Sequence, residues 1–154
     1  MLKQIKPKYE ELNFRQELLS DEKTMAYNAK WGGTIDFPVE RWKGWYDAWI
    51  VNPDRRFYRY LYSTEDKNFI GEIAFHFDDG FQCYICNVII KHSFRGRGFG
   101  REGLLLLLDE ARKQGISAIC DNIASDNSAI KLFLECGFAE KWRNGDFIML
   151  EKKL

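Results

Sequence analysis

The sequence predicts an α+β fold: a mixed, mostly antiparallel sheet flanked by helices, with one β-α-β crossover. Three observations carry this prediction. Between Arg56 and Ile90, three segments rich in aromatic and β-branched residues are separated by turns too short for anything but antiparallel pairing. A leucine-rich helical segment follows, and strand and helix signals then alternate to the end. The chain has 154 residues, 45% hydrophobic and 30% charged, which fits a single domain over residues 1–154 with its own core.

Each element follows from local chemistry. Residues 12–29 read as a helix, with Leu12, Arg15, Leu18 and Leu19 on repeating spacing. Glycines 32 and 33 break it. A second helix is predicted over 36–49, with Pro38 in its first turn and Trp42, Trp45 and Trp49 on one face. Such a stripe ordinarily faces a core. Strands are predicted over 56–62, 68–77 and 81–90, with a turn at residues 78–80. Arg101 to Gln114 reads as a helix that Gly115 ends. A buried strand over 116–120 and a helix from Asp126 or Asn127 to Cys136 follow, the latter ended by Gly137. Residues 138–152 supply one or two last strands, turning at Asn144 and Gly145.

Lys plus Arg and Asp plus Glu are each 23, so the net charge is zero. That balance argues against a generally basic nucleic-acid binder. The longest aliphatic run, Leu104 to Leu108, is far too short to span a bilayer, so no membrane association is expected. The first ten residues include bases but no apolar run behind them, which does not read as a secretory signal. A cytoplasmic protein is the expectation, and its cysteines should be reduced. Cys83 and Cys86 form a C-x-x-C within a strand. Residues three apart in a strand point to opposite faces, so four buried free thiols are expected and no metal site.

The segment from Val88 to Gly103 carries the chemistry. It follows a strand and opens a helix. Gly96, Gly98 and Gly100 alternate with Arg95, Arg97, Phe99 and Arg101, and Lys91 adds a further charge with no acid nearby. Glycine lets backbone approach a ligand, and the amides of a helix start attract anions. Together they point to a multiply charged phosphate ligand. A Walker A loop is excluded, because no Gly-Lys-Ser/Thr occurs. Gly98 to Gly103 also spells G-x-G-x-x-G, with Asp121 near the end of the next strand, as in a dinucleotide fingerprint. The preceding meander and the short chain that follows argue against that alternative.

Arg95 to Gly100 resembles the acetyl-CoA pyrophosphate loop of the GNAT acetyltransferase superfamily, R/Q-x-x-G-x-G/A. Val88 to Ile90 resembles the apolar strand before it. Asn127 to Phe138 resembles the second signature, an Asn opening a helix that ends in Gly-Phe. The resemblance covers residues 56–152, the expected cofactor-binding core. Residues 1–55 would then be variable, substrate-side helices. Acetyl-CoA is the implied co-substrate, with no metal.

The resemblance assigns backbone groups of Val88 and Ile90 to the pantetheine, and the N–H near Ile90 to the developing oxyanion. Backbone amides of Arg97, Gly98 and Gly100, in the loop with Gly96 and Phe99, would hold the pyrophosphate. Arg95 and Arg101 are implied to reach the phosphates, with Lys91 a weaker candidate. Asn127 would contact the pantetheine arm or simply cap a helix.

Phe133 departs from the pattern, because many members carry a Tyr there as general acid. Tyr27, Tyr46 and Tyr84 are possible substitutes. His92 replaces a frequent Pro at an exposed turn. For the general base the candidates are Asp121 and Glu72, with His76 sharing the Glu72 face and Asn122 lacking an ionisable group. Tyr46, Phe57, Tyr58 and the tryptophans can wall an amine site by cation–π contact or form a homodimer surface. The implied function is N-acetyl transfer to a primary amine, either a small molecule or a peptide N-terminus. The alternative is an acyl-CoA-binding sensor with little or no catalysis.

Overall fold

The computed structural model describes residues 1–154. An edge strand, β1 (Leu2–Ile5), pairs antiparallel with β2 (Arg56–Ser63). The sequence pattern does not reveal β1, which is too short for alternation to register. β2, β3 (Asn68–Asp78) and β4 (Cys83–Ile90) form the expected meander. The register slips by one residue between Leu61 and Tyr62, leaving Ile70 as the bulged residue of β3.

The predicted helix over 12–29 is in fact two pieces. Helix α1 (Leu12–Ser20) stops where Asp21 turns extended, and a 3₁₀ segment runs from Thr24 to Trp31. The Asp21 carboxylate accepts from the Thr24 hydroxyl, so side-chain capping competes with helix continuation. Helix α2 (Val39–Tyr46) starts after Pro38 and widens into a π turn over Asp47–Val51. Its tryptophan stripe is only half-buried, because part of it faces a cavity rather than a core.

Helix α3 (Phe99–Lys113) buries Phe99, Gly103, Leu104, Leu107, Leu108 and Ala111 on one face. A Cβ at Gly103 would come within 2.9 Å of Leu61 Cδ1, so glycine lets α3 lie close on the sheet. The chain then crosses over into β5 (Ala118–Ala124), parallel to β4. Strand β5 begins and ends later than predicted, which brings Asp121 and Asn122 inside it. Helix α4 (Ile130–Glu135) precedes β6 (Ala139–Arg143) and β7 (Phe147–Lys153). The order across the seven-stranded sheet is β1-β2-β3-β4-β5-β7-β6.

The period-two alternation of the strands feeds two cores. One face, with Ile73, Phe75, Cys86 and Ile90, packs on α3 and α4. The other, with Tyr58, Tyr60, Ala74 and Ile89, packs on α1 and α2. All four cysteines are free. Cys86 and Cys120 are buried, whereas Cys83 and Cys136 are only partly covered, contrary to the expectation of four buried thiols. No helix is long and apolar enough to cross a membrane.

Candidate acetyl-CoA and acceptor site

The parallel strands part company early. β4 and β5 pair only at Tyr84 with Ile119 and Ile85 with Cys120. Beyond that point the sheet splays, and a cavity of about 700 Å³ opens between the strands. Residues 85–90 and 121–124 line it.

Backbone direction matters here. The Lys91 amide donates to the Ile70 carbonyl at 2.8 Å, toward β3. Alternation along the strand therefore turns the N–H groups of Ile90 and Val88 away from β3 and toward the open side. The Ile90 carbonyl, also on that side, accepts from Arg95 Nε at 3.0 Å.

A 3₁₀ turn (His92–Phe94) leads into the glycine loop at the mouth of the splay. Gly98 sits before α3 with φ +84°, and Gly96 has φ +79°. A Cβ at either would meet nothing within 4 Å, so backbone conformation, not crowding, requires glycine. The amides of residues 96–101 donate to no backbone carbonyl. The loop thus presents a run of free N–H groups beside a helix start.

The loop cations have partners within the chain. Lys91 Nζ pairs with Glu17 at 2.6 Å, and Arg97 forms two bonds to Asp66 at 3.1 and 3.0 Å. Arg101 lies 3.8 Å from Glu135. Arg95 Nη2 donates to the Thr24 carbonyl at 2.7 Å, which ties the loop to the 3₁₀ segment. Arg95, Gly96, Gly98, Phe99 and Gly100 line the cavity; Lys91, Arg97 and Arg101 do not. Anion-holding capacity therefore lies more in the amides than in the arginine side chains.

Asp121 and Asn122 alternate along β5, yet both line the cavity, because it opens at the strand's edge rather than over one face. Burial pushes the Asp121 carboxyl up to about 8. Asn122 Oδ1 is buried without a hydrogen-bond partner. Asn127 Oδ1 accepts from the Ala129 amide at 2.9 Å, a turn before α4, which leaves its Nδ2 uncommitted. Phe133 is buried against Phe138, with ring centroids 4.9 Å apart. Of the three tyrosines considered in its place, only Tyr27 lines the cavity. The Tyr46 hydroxyl is bonded to the Pro7 carbonyl, and Tyr84 packs on Phe75 and Phe77.

On the α1–α2 face Glu72 is 2% exposed. Its carboxylate accepts from the Tyr58 hydroxyl, from Asn87 Nδ2 at 3.2 Å and from Arg15 Nη1 at 3.5 Å. His76 shares this face, edge-on to Trp49, and burial lowers its pKa. Sequence reasoning missed Arg15 and Asn87. Asn87 leaves a signal, a lone amide in an apolar strand. Arg15 leaves one too, since it shares the repeating spacing of Leu12, Leu18 and Leu19.

The chain matches the sequence profile of the Acetyltransferase (GNAT) family over residues 9–138. No curated protein matches it. Among solved structures it is similar to spermidine N-acetyltransferase from Vibrio cholerae in complex with CoA and spermine. There the TM-score is 0.81 at 20% identity, over 99% of this chain and 95% of that one. It is also similar to PaiA N-acetyltransferase from Thermoplasma acidophilum in complex with coenzyme A. That TM-score is 0.73 at 15% identity, over 100% of this chain and 99% of the other. These identities speak to the fold, and the profile speaks to descent. With a profile match over most of its length, the chain belongs to the acetyltransferase (GNAT) family.

Proposed function

We propose that the protein transfers an acetyl group from acetyl-CoA to a primary amine by direct attack. The observation that carries this is the splay of β4 from β5 with the free amides of residues 96–101 at its mouth. The amides suit a pyrophosphate, and the inward N–H groups of Val88 and Ile90 suit an amide-bearing arm laid along β4. Gly96, Gly98, Phe99 and Gly100 would shape the phosphate end, and Asn127 and Phe133 would flank the arm. Acetyl-CoA supplies an activated thioester; in the transfer a C–N bond forms and the C–S bond breaks.

The chain's own residues then handle charge and protons. The Ile90 N–H faces the open side, where the carbonyl oxygen would gain negative charge. An ammonium must lose its proton before attack. His76 stays neutral near pH 7, because burial lowers its pKa, and can accept that proton. The departing thiolate needs a proton in turn. Asp121 stands at the fork of the splay and holds its proton up to a pKa of about 8, so it can serve where Phe133 has no hydroxyl. Glu72, satisfied by three donors, holds the wall in place.

The test is amine-dependent release of CoA thiol from acetyl-CoA, followed with a thiol reagent. Release that requires both the amine and the protein supports the proposal. A binding-only module would bind acetyl-CoA yet release no thiol with any amine.

A further inference from the structure

The acceptor side of the cavity has an unusual balance of charge. Its walls on the α1–α2 face include Arg15, Trp45, Trp49, Tyr58, Glu72 and His76. Glu72 is the single carboxylate among them, and Tyr58, Asn87 and Arg15 already occupy it. Asp121, the other acid lining the cavity, belongs to β5 and not to this face. On the α1–α2 face no unpartnered carboxylate remains to hold a second ammonium. Arg15 also presents a fixed positive charge, resting on the rings of Phe37, Trp45 and Tyr58 at 4.8, 4.5 and 5.4 Å.

Aromatic surface is what this face offers instead. Trp45 and Trp49 stack with centroids 6.1 Å apart, and Tyr58 meets Trp45 edge-on at 4.7 Å. Trp31, 48% exposed, stacks on Phe147 at 4.9 Å and also lines the cavity. These ring-lined walls favour a flat apolar body, and the cation–π position over Trp45 and Tyr58 is already taken by Arg15. Several ammonium groups would lose water there without gaining a counter-charge.

We propose that the acceptor is a primary monoamine carried on an aromatic or similarly flat apolar body, and that a polyamine is a poor acceptor. This rests on the acetyl-transfer reading and narrows it. The bond changes are those of the transfer above, with the amine nitrogen as nucleophile.

The experiment uses the full chain with acetyl-CoA. Thiol release is measured with 2-phenylethylamine, with tryptamine and with spermidine, and acetyl-CoA binding is measured separately by calorimetry. The expected result is kcat/KM at least roughly tenfold higher for the arylalkylamines, the worth of one good aromatic contact. Trp49→Ala should raise KM for the arylalkylamine while leaving acetyl-CoA affinity unchanged, and Trp49→Phe should recover most of the loss. Equal or better use of spermidine by the unaltered chain overturns the proposal. So does failure to turn over either arylalkylamine when calorimetry reports bound acetyl-CoA. Absence of acetyl-CoA binding would instead remove the cofactor site, and this proposal with it.

Discussion

Ile85 and Cys120 are the last residues paired across the parallel step of the sheet. One residue further on, Cys86 and Asp121 border a gap. The backbone groups that a continuous sheet would consume are left for a ligand. The cavity, the raised pKa of Asp121 and the inward N–H groups of β4 all follow from that early parting.

Gly98→Asp puts a side chain and a negative charge beside the free amides, at a φ of +84°. The strain of about 1–2 kcal/mol is bearable for the fold. CoA affinity should fall by about a hundredfold or more, the loss of a few charge-assisted hydrogen bonds. Calorimetry gives the affinity and circular dichroism the fold. Unchanged CoA affinity in the folded variant would remove the loop from the site.

Asp121→Asn tests the proton donor. Rate should fall in the unaltered protein as pH rises through about 8, and the variant should lose that limb. Its rate should be lower by about 10²–10⁴-fold, with little change in CoA affinity. A rate that climbs through the same pH in the unaltered protein, with the climb lost in the variant, would make Asp121 a base instead.

The same variant has a stability signature. A carboxyl whose folded pKa is raised binds more protons folded than unfolded, so stability declines between the unfolded pKa near 3.8 and about 8. Asp121→Asn should therefore gain stability at pH 8, by several kcal/mol at about 1.4 kcal/mol per pKa unit, and almost nothing at pH 4. Thermal melts at the two pH values decide it.

Glu72→Gln separates wall from base. Weakening three interactions of a buried carboxylate should cost about 1–3 kcal/mol and lower Tm. A rate lost by three orders of magnitude at unchanged Tm would mark Glu72 as the general base.

Gly71→Ala probes the rigid edge of the site. Its Cβ would lie 2.2 Å from the Ile89 carbonyl oxygen, a backbone atom that cannot swing aside. Overpacking of this kind should cost about 1–3 kcal/mol, measured by denaturant unfolding. A neutral effect would mean that β3 and β4 are looser there than their pairing implies.

The meander was legible in sequence because short turns and alternation act locally. The leucine face of α3 was legible for the same reason. The break at Asp21 was not, since one capped side chain outcompeted a helical pattern that continues past it. β1 escaped notice because four residues at a sheet edge carry little period. At the site, the glycines announced the loop. The engagement of Arg95, Arg97 and Arg101 depends on Thr24, Asp66 and Glu135, residues distant in sequence. The meeting of Arg15 with Trp45 and Tyr58 is likewise tertiary.

Thermal unfolding with acetyl-CoA, CoA or NAD decides whether the splayed strands and the glycine loop hold CoA. A ligand at 100 times its dissociation constant adds about 2.7 kcal/mol, a shift of several degrees at this size. Tm should rise with acetyl-CoA and with CoA, and not with NAD. A Tm unmoved by either CoA form, or raised by NAD alone, would contradict a CoA site there.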